Sequence, residues 1–197
     1  MMQLGLFGKK YKPTWEITPE MLKEEAERMQ AETLEMLCRL NFHQPMRQAP
    51  VELIDNKCHG GYLAMGSKPI IQIEKKNAER QEIDRAITNS HETTHYFHLM
   101  TKPYDYSHYL RKWYWYYHEL IATSGSLLYV SGKYPKEDYR EAFAQGETTE
   151  RALIKLMERK GTEIISRIVW ISSNMCTLSP LTMEFKEIID SLGGAKK

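Results

Sequence analysis

Two histidines and a glutamate lie close together in the segment from Thr88 to Phe97, and their spacing suits metal chemistry. His91 and His95 are four positions apart. On an α-helix each residue advances by about 100°, so that spacing returns both imidazoles to nearly the same face. Both rings can therefore aim a nitrogen at one cation. Glu92 flanks the same cation, where it can take a proton from a metal-bound water and later deliver it to a leaving amine.

The segment resembles the extended zinc-binding signature of the zincin metallopeptidases, whose core is HExxH. The family favours valine or threonine three residues before the first histidine, where this chain has Thr88. It favours uncharged residues at the two central positions and after the second histidine, followed by an apolar residue. This chain has Thr93, Thr94, Tyr96 and Phe97 at those positions. The resemblance implies a peptidase in which His91 and His95 bind Zn²⁺ and Glu92 is the general base and acid.

The motif requires a helix beneath it, and the residues before it predict one. The segment from Asn77 to Ile87 begins with polar residues and places Ile83, Ala86 and Ile87 at helical spacing. Ile83 and Ile87 share a stripe with the two motif histidines. A simpler alternative stays open at this point, in which the histidines only pack in the core or lie on the surface.

A catalytic zinc site needs a third protein ligand and one open position. His98 is nearest in sequence, but it lies about 10 Å along the helix axis from His91, too far for one ion to bind both with His95. Glu119 is the preferred candidate because a second predicted helix, Tyr114 to Tyr129, carries it. Two small residues on that helix, Ala122 and Ser126, would let it approach the motif helix closely.

A glutamate on a downstream helix is also the third ligand in the gluzincin branch of the zincins, which the spacing of Glu119 resembles. His118, Asp105 and His108 remain alternative third ligands. The three-histidine branch requires glycine and histidine where this chain has His98 and Thr101, so the chain departs from that branch.

The surrounding sequence predicts an α+β, predominantly helical, zincin-like fold. A small antiparallel hairpin is expected from Gly60 to Glu74, with a turn at Gly66 to Pro69, and Gly61 to Met65 near the sheet edge that would bind substrate. Residues 1–17 are expected to form an arm before a single domain of residues 18–197. Other helices are predicted over Pro19 to Leu40, Lys136 to Glu158, Thr162 to Ser173 and Leu181 to Leu192, with breaks at Gly161 and Pro180.

Composition and charge narrow the possible partners. The net charge is +1, which gives no overall indication of nucleic-acid binding, and no run of residues has the length of a membrane span. The three cysteines, Cys38, Cys58 and Cys176, are scattered and predict reduced thiols. The expected partner is a peptide or protein substrate, and the expected location is cytoplasmic.

Two other functions fit the same residues. One is a noncatalytic zincin scaffold that binds or regulates a partner, with a structural zinc closed by a fourth ligand such as His98, His118 or Cys58. The other is a zinc hydrolase that acts on something other than peptides.

Overall fold

The computed structural model describes residues 17–55, 60–101, 112–146 and 148–174, with the side chains of 118–146 and 149–170 in the last two segments. The described helices and strands confirm the predicted α+β, mainly helical class. The helices are α1 (Pro19–Leu40), α2 (Glu82–Thr101), α3 (Lys112–Ser131), α4 (Lys136–Gln145), α5 (Thr148–Lys160) and α6 (Thr162–Asn174). The strands are β1 (Val51–Ile54), β2 (Gly61–Ala64) and β3 (Ile70–Glu74), followed by a 3₁₀ helix, Lys75–Glu79. None of the described helices combines the length and apolar character that crossing a membrane requires.

The three strands form one sheet in the order β1-β3-β2. Strands β2 and β3 are antiparallel, with Leu63 opposite Ile71, which confirms the predicted hairpin. Strand β1 pairs with the other side of β3 in parallel, with Val51 opposite Ile71. No strand was predicted at Val51–Ile54, so this parallel pair was missed. The four residues of β1 are too few for a periodic pattern, and their pairing with β3 is a tertiary contact.

Helix α1 has the predicted bounds, and it packs against both helices that carry the motif residues. The side chain of Thr18 caps it by accepting a hydrogen bond from the Met21 amide at 3.2 Å. Arg85 of α2 forms a bidentate, largely buried ion pair with Glu25 of α1, in which its Nε and Nη2 atoms donate to the carboxylate at 2.5 and 2.9 Å. Tyr129 of α3 donates a hydrogen bond to Glu32 of α1 at 2.5 Å. Helix α1 thus holds α2 and α3 from one side.

Two predicted helix boundaries are wrong. The motif helix begins at Glu82, and Asn77 lies in the 3₁₀ helix before it, where its side chain donates to the Gly60 carbonyl at 2.5 Å. The helix predicted from Lys136 to Glu158 is interrupted at Gly146, whose extended backbone ends α4. The predicted break at Gly161 is confirmed, and its positive φ of 83° explains why glycine is found there.

Several other predictions lie outside the described residues. They are the arm up to residue 16, Cys58, Cys176, the break at Pro180 and the helix from Leu181 to Leu192.

The end of α1 contains a strained residue. Phe42 has a positive φ of 56°, a conformation that favours glycine, and its side chain is 89% exposed. The amide of Phe42 donates to Arg39, and the amide of His43 donates to Cys38 at 2.9 Å. This is the Schellman pattern, in which the left-handed position is usually glycine.

We expect Phe42→Gly to stabilise the protein, by about 0.5–1 kcal/mol, because relief of left-handed strain exceeds the added entropy of the unfolded chain. Little buried apolar surface is lost because the ring is exposed. Urea unfolding would measure the gain. Phe42→Ala is the matched control, since it removes the ring but keeps the Cβ that causes the strain. An equal gain in both variants would contradict the explanation.

Candidate metal centre

The candidate site lies where α2 and α3 pack against each other. Residues late in α2 contact residues early in α3: His98 contacts His118, and His95 contacts Glu119. Thr94, one residue before His95, lies beside Gly125, further along α3. The two helices are therefore antiparallel, and their packing brings the motif histidines to the predicted third ligand.

Three donor groups converge at this point. The Nε2 atoms of His91 and His95 are 3.1 Å apart. The carboxylate of Glu119 places Oε2 3.2 Å from His91 Nε2 and Oε1 3.4 Å from His95 Nε2. Among the residues that the structure describes, these three form the only group of histidine, cysteine and acidic side chains compact enough to hold a metal ion. The structure brings together the three residues that the sequence predicted as ligands.

The separations fit a single zinc ion. In a tetrahedral site with bonds of about 2.0–2.1 Å, neighbouring donor atoms lie about 3.3–3.4 Å apart. The two Nε2 atoms are 3.1 Å apart, and each lies 3.2 or 3.4 Å from a different oxygen of the Glu119 carboxylate, which is close to this value. Two imidazole nitrogens and one carboxylate are also a donor set that zinc accepts in catalytic sites. Little movement of these side chains would be needed for them to bind the ion together.

The electrostatics of the group favour a cation. Burial opposes the charge of Glu119, but hydrogen bonds to His91 and His95 outweigh it, and the pKa of Glu119 is held well below its usual range. Burial likewise opposes the charged form of His91. The hydrogen bond to Glu119 and the charges of Glu92 and Glu119 prevail, so the pKa of His91 is raised. A proton and a metal ion therefore compete for His91, and metal binding should weaken as the pH falls.

Glu92 lies beside this group without belonging to it. Its side chain is buried, and its negative charge acts on His91. It is not a member of the compact donor group. Glu150 of α5 also acts electrostatically on His91, a proximity that sequence spacing gave no means to predict.

The alternative third ligands are placed differently. His118 and His98 are buried and face each other, with their Nδ1 atoms 3.1 Å apart, and neither belongs to the donor group. Asp105 and His108 lie outside the described residues, as does Cys58.

Gly125 allows α2 and α3 to come this close. A Cβ atom at Gly125 would lie 2.6 Å from Cγ2 and 2.9 Å from Cβ of Thr94, and closer still to its Oγ1. Ala122 and Ser126, the small residues predicted to permit the approach, are fully buried. The tightest contact nevertheless falls between them. A glycine inside a helical pattern was the available signal, because it usually has a packing reason.

Comparison of the chain with family models, with curated proteins and with solved structures finds no match. What the site can do must therefore be inferred from its own geometry and chemistry.

Glu119→Ala should weaken zinc binding by at least about a hundredfold, because loss of a residue that only orients a ligand already costs about 10–100-fold. Competition with a chromophoric chelator would measure the dissociation constant. Glu163→Ala, an exposed acidic residue of α6, is the control and should bind zinc like the wild type. Unchanged affinity in Glu119→Ala would move the third-ligand role to His118, Asp105 or His108.

Gly125→Ala should destabilise the protein by about 1–3 kcal/mol, because the added methyl group overpacks the contact with Thr94. It should also weaken zinc binding, since separating α2 from α3 withdraws Glu119 from the histidines. Gly132→Ala is the matched control, because the nearest atoms to its Cβ would be 3.6 Å away. Chemical unfolding and zinc titration of both variants test this. Identical behaviour of the two would show that the close approach is unimportant.

Proposed function

We propose that the chain is a zinc-dependent metallopeptidase of the gluzincin type, in which His91, His95 and Glu119 bind Zn²⁺ and Glu92 is the general base and acid. The observation that carries the proposal is the convergence of the two Nε2 atoms, 3.1 Å apart, with the Glu119 carboxylate, whose two oxygens lie 3.2 Å from His91 Nε2 and 3.4 Å from His95 Nε2. A bound Zn²⁺ would act as a Lewis acid and lower the pKa of water.

The residues around the ion would have two roles, metal binding and proton transfer. His91, His95 and Glu119 are held by two packed helices, which fixes their donor atoms before any ion binds. Glu92 follows His91 in the chain, and its carboxylate can accept a proton from the attacking water. The same carboxylate can return that proton to the nitrogen of the departing amine. Proton transfer of this kind contributes about 10²–10⁴-fold to a rate.

The number of donors supports a catalytic rather than a structural ion. Structural zinc sites have four protein ligands, whereas catalytic sites have three and keep one position open. In the part of the chain that the structure describes, the group has three members. His98 and His118, which could have closed the site, face each other instead.

The edge of the sheet offers a place for an extended peptide. Among the described strands, β2 lies at the edge and pairs only with β3. A Cβ atom at Gly61 would lie 3.1 Å from Cγ2 of Thr88, so β2 passes directly over the turn that precedes His91. A peptide added to such an edge gains main-chain hydrogen bonds regardless of its sequence. This arrangement favours a peptide substrate over other amides.

Glu92→Gln should lower peptide hydrolysis by about 10²–10⁴-fold while zinc stays bound, since glutamine keeps the shape of glutamate but cannot take the proton. Turnover of a pool of fluorogenic peptides and metal analysis would be measured on the same samples. Wild-type activity should disappear with a chelator and return with zinc.

Other results of the same experiment would favour the alternative functions. Full activity in Glu92→Gln, or loss of its metal, would contradict the role of Glu92. Hydrolysis of non-peptide amides without hydrolysis of peptides would favour a zinc hydrolase that acts on something other than peptides. Tightly held zinc with no hydrolysis of either would favour a structural ion.

A further inference from the structure

We propose that the buried hydrogen bond between His98 and His118 positions Glu119 for metal binding. This inference rests on the proposed function of the metal centre. The Nδ1 atoms of the two rings are 3.1 Å apart, and both side chains are almost completely buried. His98 belongs to α2, which carries the two histidine ligands, and His118 belongs to α3, which carries Glu119.

The sequence positions of the pair make it suited to this task. His118 immediately precedes Glu119, and His98 lies three residues after His95. The same two helices are therefore joined at two adjacent points, once by the histidine pair and once at the metal centre. Fixing His118 relative to α2 also fixes the backbone from which the Glu119 side chain extends.

A small rotation of α3 about its axis would displace the Glu119 carboxylate. A carboxylate atom about 6 Å from the axis of α3 moves by about 2 Å when the helix turns by about 20°. Metal–ligand distances tolerate only about 0.2 Å. The orientation of α3 about its own axis must therefore be restricted far more tightly than ordinary packing requires.

The close contact between Gly125 and Thr94 cannot supply that restriction alone. The contact of Gly125 with Thr94 sets how near the helices come, because van der Waals packing limits distance. A hydrogen bond also depends on direction. In the His98–His118 bond one Nδ1–H donates and the other Nδ1 accepts, so a rotation of α3 breaks it. Breaking it inside the core would leave a polar group without its partner, which is costly.

An apolar pair at these positions would fill the same space without fixing the rotation of α3 about its axis. Buried polar pairs of this kind specify one alignment of two helices at some cost in stability. The histidine pair thus has a physical role that core packing does not explain.

The experiment compares zinc affinity with stability in matched variants. In the double variant His98→Leu/His118→Leu both partners of this hydrogen bond are removed together and leucine fills similar space, so the apo protein should stay folded, as urea unfolding would show. Its zinc dissociation constant should nevertheless rise by about 10–100-fold. His98→Asn, which can keep a hydrogen bond near the Nδ1 position, should recover part of the affinity.

Ser124→Ala is the control on α3, because its buried hydroxyl donates a hydrogen bond to the Leu120 carbonyl of the same helix at 2.7 Å. It should leave the zinc affinity unchanged. Wild-type affinity in the double leucine variant would overturn the proposal. If the wild type bound two zinc ions and the double variant bound one, the proposal would also be overturned, because the histidine pair would then bind the second ion. Failure of the wild type to bind zinc at all would instead refute the proposed function itself.

Discussion

The carboxylate of Glu119 reaches both imidazoles of α2 only because α2 and α3 are in direct contact. Carboxylate side chains are short, and the donor separations of 3.1–3.4 Å leave no room for a wider spacing between the helices. Gly125 satisfies this requirement by letting the backbone of α3 lie against Thr94. The rest of the described structure can be understood as support for that contact.

Helix α1 provides much of that support through charged and polar links. The buried Glu25–Arg85 pair joins it to α2, and Arg85 also donates to the Arg80 carbonyl at 2.6 Å, which fixes the entry to the motif helix. Glu32 joins α1 to Tyr129 and Lys133 at the far end of α3. Burial opposes the charge of Glu32, but hydrogen bonds from Lys133, Tyr129 and Arg28 lower its pKa to about 2. Because α2 and α3 are antiparallel, both links lie at the same end of the helix pair, where α2 begins and α3 ends.

Features with a local cause could be predicted well. The bounds of α1 follow from a capping threonine and an apolar stripe, and the β2–β3 hairpin follows from two short apolar runs separated by a turn. The ligand role of Glu119 stays a prediction until an ion is measured. Its meeting with His91 and His95 was nevertheless expected from small residues on one helix face. The parallel pairing of β1, which depends on residues distant in the chain, was missed, and so was the break at Gly146.

The sequence by itself determined the chemical groups available at the site: two imidazoles on one helical face, a carboxylate beside them and a second carboxylate on a later helix. That information is local, because helical periodicity alone decides which side chains share a face. Among the candidates that the structure describes, the tertiary structure brought Glu119 to the pair and set His98 and His118 against each other rather than toward the same point. This choice depends on the separation and rotation of two helices, and those are fixed by contacts between residues far apart in the chain.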